Sequence, residues 1–187
     1  MARSLDVILV VDVESTCWEE EPPEGQVSEI IEIGLCTVDV KSLTRLEKRS
    51  ILVKPVLSEI SPFCTELTTL TPDMFDNAGS LADAVKTLKK VYHCKDRLWA
   101  SWGDYDRRQF ERVCKAQKVC YPFGTSHLNI KSLFAAAIGA NEMGLDGACR
   151  YLGQEMEGIH HRGDDDAWNI ADILCGLLNR MRPATDG

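Results

Sequence analysis

The chain has 187 residues, of which 44% are hydrophobic, and a formal net charge of -8. That length supports one well-buried core and is short for two domains, and no uninterrupted apolar run approaches the roughly 18 residues that a membrane span needs. The acidic balance argues against tight, sequence-independent binding along nucleic acid, which depends on many Lys and Arg contacts to phosphate, but it leaves room for a site that recruits metal cations.

A single domain over residues 1–187, with its core from about 7 to 180, is therefore expected. The N-terminus has no basic segment followed by a long apolar stretch, so the chain is expected to be soluble and unprocessed. Eight cysteines are scattered at 17, 36, 64, 94, 114, 120, 149 and 175 without a CxxC pair. Several fall on apolar faces, Cys36, Cys114 and Cys175 among them, where a free thiol behaves as a small hydrophobe. A reducing cytoplasmic location fits this usage, and a zinc site does not.

In chain order, Val7–Val13 predicts a strand, and CWEEEPPEGQ (Cys17–Gln26) predicts an acidic surface loop. Glu29–Val40 predicts a second strand, in which Ile31, Ile33 and Leu35 alternate with Glu32, Gly34 and Cys36. Arg49–Val53 reads as a third strand, and Ser61–Thr71 as a proline-interrupted connection with short helical turns. Ser80–His93 predicts an amphipathic helix opened by a serine cap. Arg97–Gly103 predicts a short strand, followed by a helix over Tyr105–Lys118. After turns around Pro122 and Gly124 come helices at Lys131–Ile138, Leu145–Leu152 and Asp164–Met181. This order implies an α/β fold, helices packed on a mixed sheet.

Acidic residues meet apolar pattern at three places. In VVDVEST (Val10–Thr16), side chains alternate, so Asp12 and Glu14 share one face and Val11 and Val13 the other. In SWGDYDRRQF (Ser101–Phe110), helical spacing aligns Asp106 with Phe110 and Val113, and turns Asp104 outward with Arg108, Glu111 and Lys115. In GIHHRGDDDAWNIADIL (Gly158–Leu174), Asp166 stacks over Ile170, Ile173 and Leu177, whereas Asp165 stacks over Asn169, Asp172 and Gly176. Asp166 is thus the core-facing acid, Asp164 a candidate cap, and neutralising Asp165 is expected to matter little. Solvated strand ends and acidic helix N-termini use the same residues, and His160 with Asp165 repeats the spacing of His161 with Asp166, so spacing alone leaves the histidine open.

Three inward-facing acid positions and a histidine suit metal-assisted phosphoryl chemistry, in which two divalent ions about 4 Å apart activate a water and stabilise the leaving oxygen. Histidine accepts a proton near neutral pH. Oxygen ligands without thiolates favour Mg²⁺ or Mn²⁺.

An apolar strand closed by DxExT, an aromatic-Asp pair opening a helix (Tyr105, Asp106) and H-x4-D (His161, Asp166) resemble the DEDDh 3′-to-5′ exonucleases of ribonuclease H-like fold. DVESTC, the EPPE loop, SEIIEIG, SPFCTELTTLTPDMFDNA, LNIKSLF and HHRGDDDAWNIA are similar to the Eri-type branch, which trims histone mRNA, small RNAs and ribosomal RNA ends, and to its short bacterial relatives. The similarity runs from Val7 to Leu178. It implies a ribonuclease H-like mixed β-sheet flanked by α-helices and hydrolysis with two Mg²⁺ or Mn²⁺ ions per site. It also implies metal ligands at Asp12, Glu14, Asp106 and Asp166, a general base at His161, and contacts to the 3′-terminal nucleotide from Glu14, Ser15, Thr16, Cys17 and His161. The implied substrate is a single-stranded 3′ end or short 3′ overhang, RNA favoured over DNA. Asp104 departs from many relatives, which carry a small or amide residue there.

Trp18 suits base stacking or packing on its own domain. Arg107, Arg108, Arg112, Lys115 and Lys118 suit a phosphate track or a solvated helix face. An aspartyl-phosphate phosphatase would need Asp at position 14, and an end-binding module without turnover would not need all five catalytic positions filled.

Overall fold

The computed structural model describes residues 4–182; the ends of the expected 1–187 span lie outside the described residues. Five strands form one mixed sheet: β1 (Ser4–Ser15), β2 (Ile30–Asp39), β3 (Thr44–Leu52), β4 (Arg97–Ser101) and β5 (His127–Asn129), in the order β3-β2-β1-β4-β5. β1 pairs antiparallel with β2 and parallel with β4, so it lies at the centre. The helices are α1 (Pro62–Thr68), α2 (Leu81–Lys90), α3 (Tyr105–Ala116), α4 (Ile130–Ile138), α5 (Leu145–Leu152) and α6 (Gly163–Met181).

The period of two along β1 divides the core. Leu9, Val11 and Val13 pack with Leu81 and Leu88 of α2 and Phe110 and Val113 of α3. Ile8 and Val10 face the other way, onto Phe134 of α4, Ala148 of α5 and Ile170 and Leu174 of α6. Asp12 and Glu14 continue the even-numbered row, so they emerge on the α6 side where the apolar row ends. Five cysteines, 36, 64, 94, 114 and 149, are buried as free thiols in these layers. Among the described residues, no helix is long and apolar enough to cross a membrane.

Every residue of β2 from Ile30 to Val38 is buried, because α6 lies across β2 while α2 and α3 cover its other side. Two expectations need correction. The third strand begins at Thr44 instead of Arg49, and the short edge strand β5 falls where only turns were expected. Polar edge strands of this kind draw their order from pairing with a neighbour more than from their own side chains.

One backbone contact brings helix and sheet together at the site. Gly34, the register partner of Asp12, lies so near the start of α6 that an added Cβ would fall 1.8 Å from the Gly163 carbonyl carbon. Because the obstacle is backbone, no side-chain rotation relieves it. Gly34→Ala is expected to cost about 3 kcal/mol or more, read as a lower urea midpoint with metal chelated; an unchanged midpoint would show that α6 sits farther from β2.

Candidate active site

The C-terminal end of β1 is where both helical layers deliver an acid. From one layer, α3 starts directly after β4 and places Asp106 in its first turn, where the helix dipole favours a carboxylate. Its Oδ1 accepts the Val13 amide N–H at 2.9 Å, tying helix to strand. From the other layer, Asp166 in the first turn of α6 accepts the His161 amide N–H at 3.0 Å. Asp106 and Asp166 are 3% and 4% exposed, confirming their inward orientation. Ligand oxygens of Asp12, Glu14 and Asp166 lie within 4.8 Å of one another.

Burial and like charge act together here. Asp12 is held well above the usual carboxylate range, first by burial and then by Asp106, Glu14 and Asp166. Glu14 is raised by burial and then by Asp166 and Glu32, with Arg162 opposing. Asp106 and Asp166 are also raised, chiefly by burial. Converging carboxylates that burial and mutual repulsion push toward neutrality are suited to a hard divalent cation, which would supply the missing positive charge.

A cavity of about 380 Å³ opens over these acids, lined also by Ser15, Cys17, His160 and His161, with Leu67, Trp102 and Leu145 as apolar walls. Ser15 Oγ accepts from Gln109 Nε2 at 2.8 Å, and the Cys17 carbonyl accepts from Ser61 Oγ at 2.6 Å, so α3 and the cap of α1 hold the turn. Of the expected site residues, Thr16 alone is turned away: it is buried, and its hydroxyl donates to the Val27 carbonyl and accepts from the Glu29 amide. Asp104 pairs with Arg107 and Arg108 and does not line this cavity, and Trp18 is half-buried.

Both histidines reach the site, by different atoms. The His160 ring places Nδ1 3.1 Å from both Asp166 oxygens, whereas His161 meets Asp166 through its backbone. The two rings stack at 3.9 Å. His161 is held below the ordinary imidazole range, first by burial and then by the neighbouring His160. No hydrogen bond to its ring nitrogens is present among the described residues.

Asp165 departs from expectation. Helical periodicity placed it outward, but it is 9% exposed. Its carboxylate accepts the Ile159 amide at 2.8 Å and forms an ion pair with Lys48 of β3. Asp164 is not the cap: Arg162 occupies that position with extended backbone. Sequence reasoning also missed Glu32, fully buried beside Glu14, which accepts from Arg162 at 2.9 Å and from the Gly163 amide at 2.9 Å. It anchors the start of α6, and no local signal announces a pair separated by 130 residues.

Fold and acid cluster together define an exonuclease-type domain of ribonuclease H-like architecture. The chain belongs to the family described as Exonuclease (RNase_T), which matches residues 9–174. It is 28% identical over 184 residues to human 3′-5′ exoribonuclease 1, covering 92% of this chain and 52% of that protein. It is 23% identical over 193 residues to the Drosophila melanogaster 3′-5′ exonuclease Snipper, covering 91% of this chain and 69% of that one. The chain thus spans about half the length of the human relative and of its rat and mouse counterparts. Among solved structures, the nuclease domain of 3′hExo, a DEDDh family member, bound to rAMP superposes with a TM-score of 0.86 at 26% identity, covering 96% of this chain and 95% of that one.

Proposed function

We propose that this chain is a metal-dependent 3′-to-5′ exonuclease that removes nucleotides from single-stranded RNA ends or short 3′ overhangs, with DNA as a second substrate. The observation that carries the proposal is the convergence of Asp12, Glu14 and Asp166 oxygens within 4.8 Å at the end of β1. The similarity to exoribonucleases and to a nuclease domain bound to rAMP supports RNA as substrate. The buried free thiols accord with work in a reducing cytoplasm.

Asp12, Glu14, Asp106 and Asp166 would hold two Mg²⁺ or Mn²⁺ ions, which when bound supply charge balance and Lewis-acid activation. The chain's own groups do the rest. The Ser15–Cys17 turn, held by Gln109 and Ser61, receives the terminal nucleotide together with Glu14. Leu67, Trp102 and Leu145 exclude water from one side of the cavity. His161 takes the attacking water's proton, which requires a neutral ring with free nitrogens, and its lowered pKa favours that form. His160 holds Asp166 through its own ring.

Two experiments test this. A 5′-labelled RNA and the matching DNA are incubated with Mg²⁺, Mn²⁺ or chelator. A metal-dependent ladder shortening from the 3′ end, faster on RNA, is expected, and uncleaved strands in both metals would leave an end-binding module. His161→Ala should lower the rate about 10²–10⁴-fold while Mg²⁺ still raises the melting temperature. If His160→Ala has the larger effect on rate, the base is His160.

A further inference from the structure

Ser101 closes β4 and is fully buried. The period of two places it on the same face as Trp99, toward α3. Its hydroxyl donates to the Gly103 carbonyl at 2.9 Å, and Gly103, at φ +100°, makes the turn from β4 into α3. The same hydroxyl stands beside Asp106: burial raises that carboxyl, and the Val13 amide and the Ser101 hydroxyl oppose the rise. One proton therefore serves two acceptors, both in the short piece of backbone that presents Asp106 to the site.

The Ser101 oxygen has a third neighbour. His127 of β5 places its Nε2 2.8 Å away. Because Gly103 and Asp106 both accept from the hydroxyl, His127 is the donor in this contact, and Nε2 carries a proton. Its other nitrogen, Nδ1, faces Asp104 Oδ1 at 3.9 Å, beyond hydrogen-bond range. The ring is firmly seated. Its side chain is 8% exposed, it lies against the Trp99 ring with centroids 4.2 Å apart, and its backbone is the register partner of Trp99 in the sheet.

His127, Ser101 and Asp106 thus form a hydrogen-bonded series that runs from the edge strand to the acid cluster. A buried hydroxyl that is free to turn can leave both of its acceptors unpaired. A donor held on its oxygen restricts it to orientations that keep the proton on Gly103 or Asp106. Outer partners of this kind orient the carboxylates that hold a metal. Neither Ser101 nor His127 lines the cavity over the acids, so neither meets substrate there.

We propose that His127 is a positioning residue that acts through Ser101 to orient the Asp106 carboxylate for a divalent cation. This deepens the reading of the site as a metal-dependent exonuclease and rests on it.

The test compares the wild type with His127→Phe, which keeps a ring against Trp99 but has no N–H, and with His127→Gln, whose amide can donate from nearly the same place. Ser101→Ala and the double variant Ser101→Ala with His127→Phe complete the set. Mn²⁺ affinity is measured by calorimetry without RNA, kcat and KM by trimming of 5′-labelled RNA, and the fold by melting in chelator. His127→Phe and Ser101→Ala should each weaken Mn²⁺ binding about tenfold and lower kcat about 10–100-fold, with KM for RNA within about twofold of wild type. The double variant should bind Mn²⁺ no more weakly than Ser101→Ala alone, because both changes break the same series. His127→Gln should recover most of the loss.

Mn²⁺ affinity and kcat of His127→Phe near the wild-type values, losses that multiply in the double variant, or His127→Gln no better than His127→Phe would each overturn the proposal and leave the ring a packing element. Should His127→Phe fail to fold, Ser101→Ala carries the test, since it breaks the series by removing one oxygen atom; wild-type Mn²⁺ affinity there would overturn the proposal equally. A wild type that binds Mn²⁺ yet leaves RNA uncut would sink the exonuclease reading separately, because the Mn²⁺ measurements need no turnover.

Discussion

Asp12→Asn is expected to slow 3′-end trimming at least about a thousandfold, because it removes several kcal/mol of metal-based charge stabilisation. In chelator it should also stabilise the fold. Asp12 lies in a cluster where burial and the neighbouring Asp106, Glu14 and Asp166 all disfavour its ionised form. The amide matches the carboxylate in size but carries no charge, so the repulsion disappears without leaving a cavity. The melting temperature of chelated protein should rise roughly 2–4 °C for each kcal/mol of repulsion relieved. Mg²⁺ should raise the wild-type melting temperature by preferential binding to the folded state, and much less in the variant. Calorimetry with and without chelator, beside the trimming assay, reads both effects. Trimming at the wild-type rate, or an equal Mg²⁺ response in both proteins, would remove Asp12 from the metal site.

Asp165→Ala should cost about 2–3 kcal/mol of stability and lower trimming roughly 10–100-fold, although Asp165 is not among the metal-cluster acids. Its carboxylate anchors the Ile159 amide and pairs with Lys48. It also fills the space a Cβ on Gly158 would need, with Oδ1 at 2.1 Å, and Gly158 sits at φ +83°. Asn169, one turn further along α6, brackets Glu157 at 2.9 Å through both its amide groups. The segment carrying His160 and His161 is therefore held from α6 at two points. Losing one lets the histidines drift from Asp166, and Lys48 loses its partner. Asp165→Asn should fall between, since its Oδ1 can still accept the Ile159 amide but cannot neutralise Lys48. Urea denaturation and single-turnover kinetics separate the two losses. A rate within twofold of wild type for Asp165→Ala would return the residue to a solvated role.

The contrast between Asp165 and Asp166 marks how far local periodicity reaches. Stacking at three- and four-residue intervals identified Asp166 and Asp106 as inward because each shares a helical face with core residues: Ile170, Ile173 and Leu177 in one case, Phe110 and Val113 in the other. The same rule sent Asp165 outward with Asn169 and Asp172. Asp165 and Asn169 are buried because the loop before α6 folds back over that face. Glu32 went unnoticed for a related reason: nothing in the alternation of its own strand shows that α6 covers its side or that Arg162 supplies the balancing charge.

Thr16 and the histidines extend the same lesson. Adjacent residues in an irregular turn have no shared period, so whether a side chain enters the cavity depends on its neighbours in space. Thr16 is drawn into bonds with Val27 and Glu29, and His161, at φ 65°, offers its amide to Asp166 while His160 offers its ring. The sequence by itself determined the burial of β1, the common side of Asp12 and Glu14 and the inward acids of α3 and α6, because periods of two and 3.6 are properties of the local backbone. Tertiary structure alone decided the partners of Glu32, Asp165 and Thr16, because those bonds join residues up to 131 positions apart. They form only once helix, strand and loop are packed together and water is excluded.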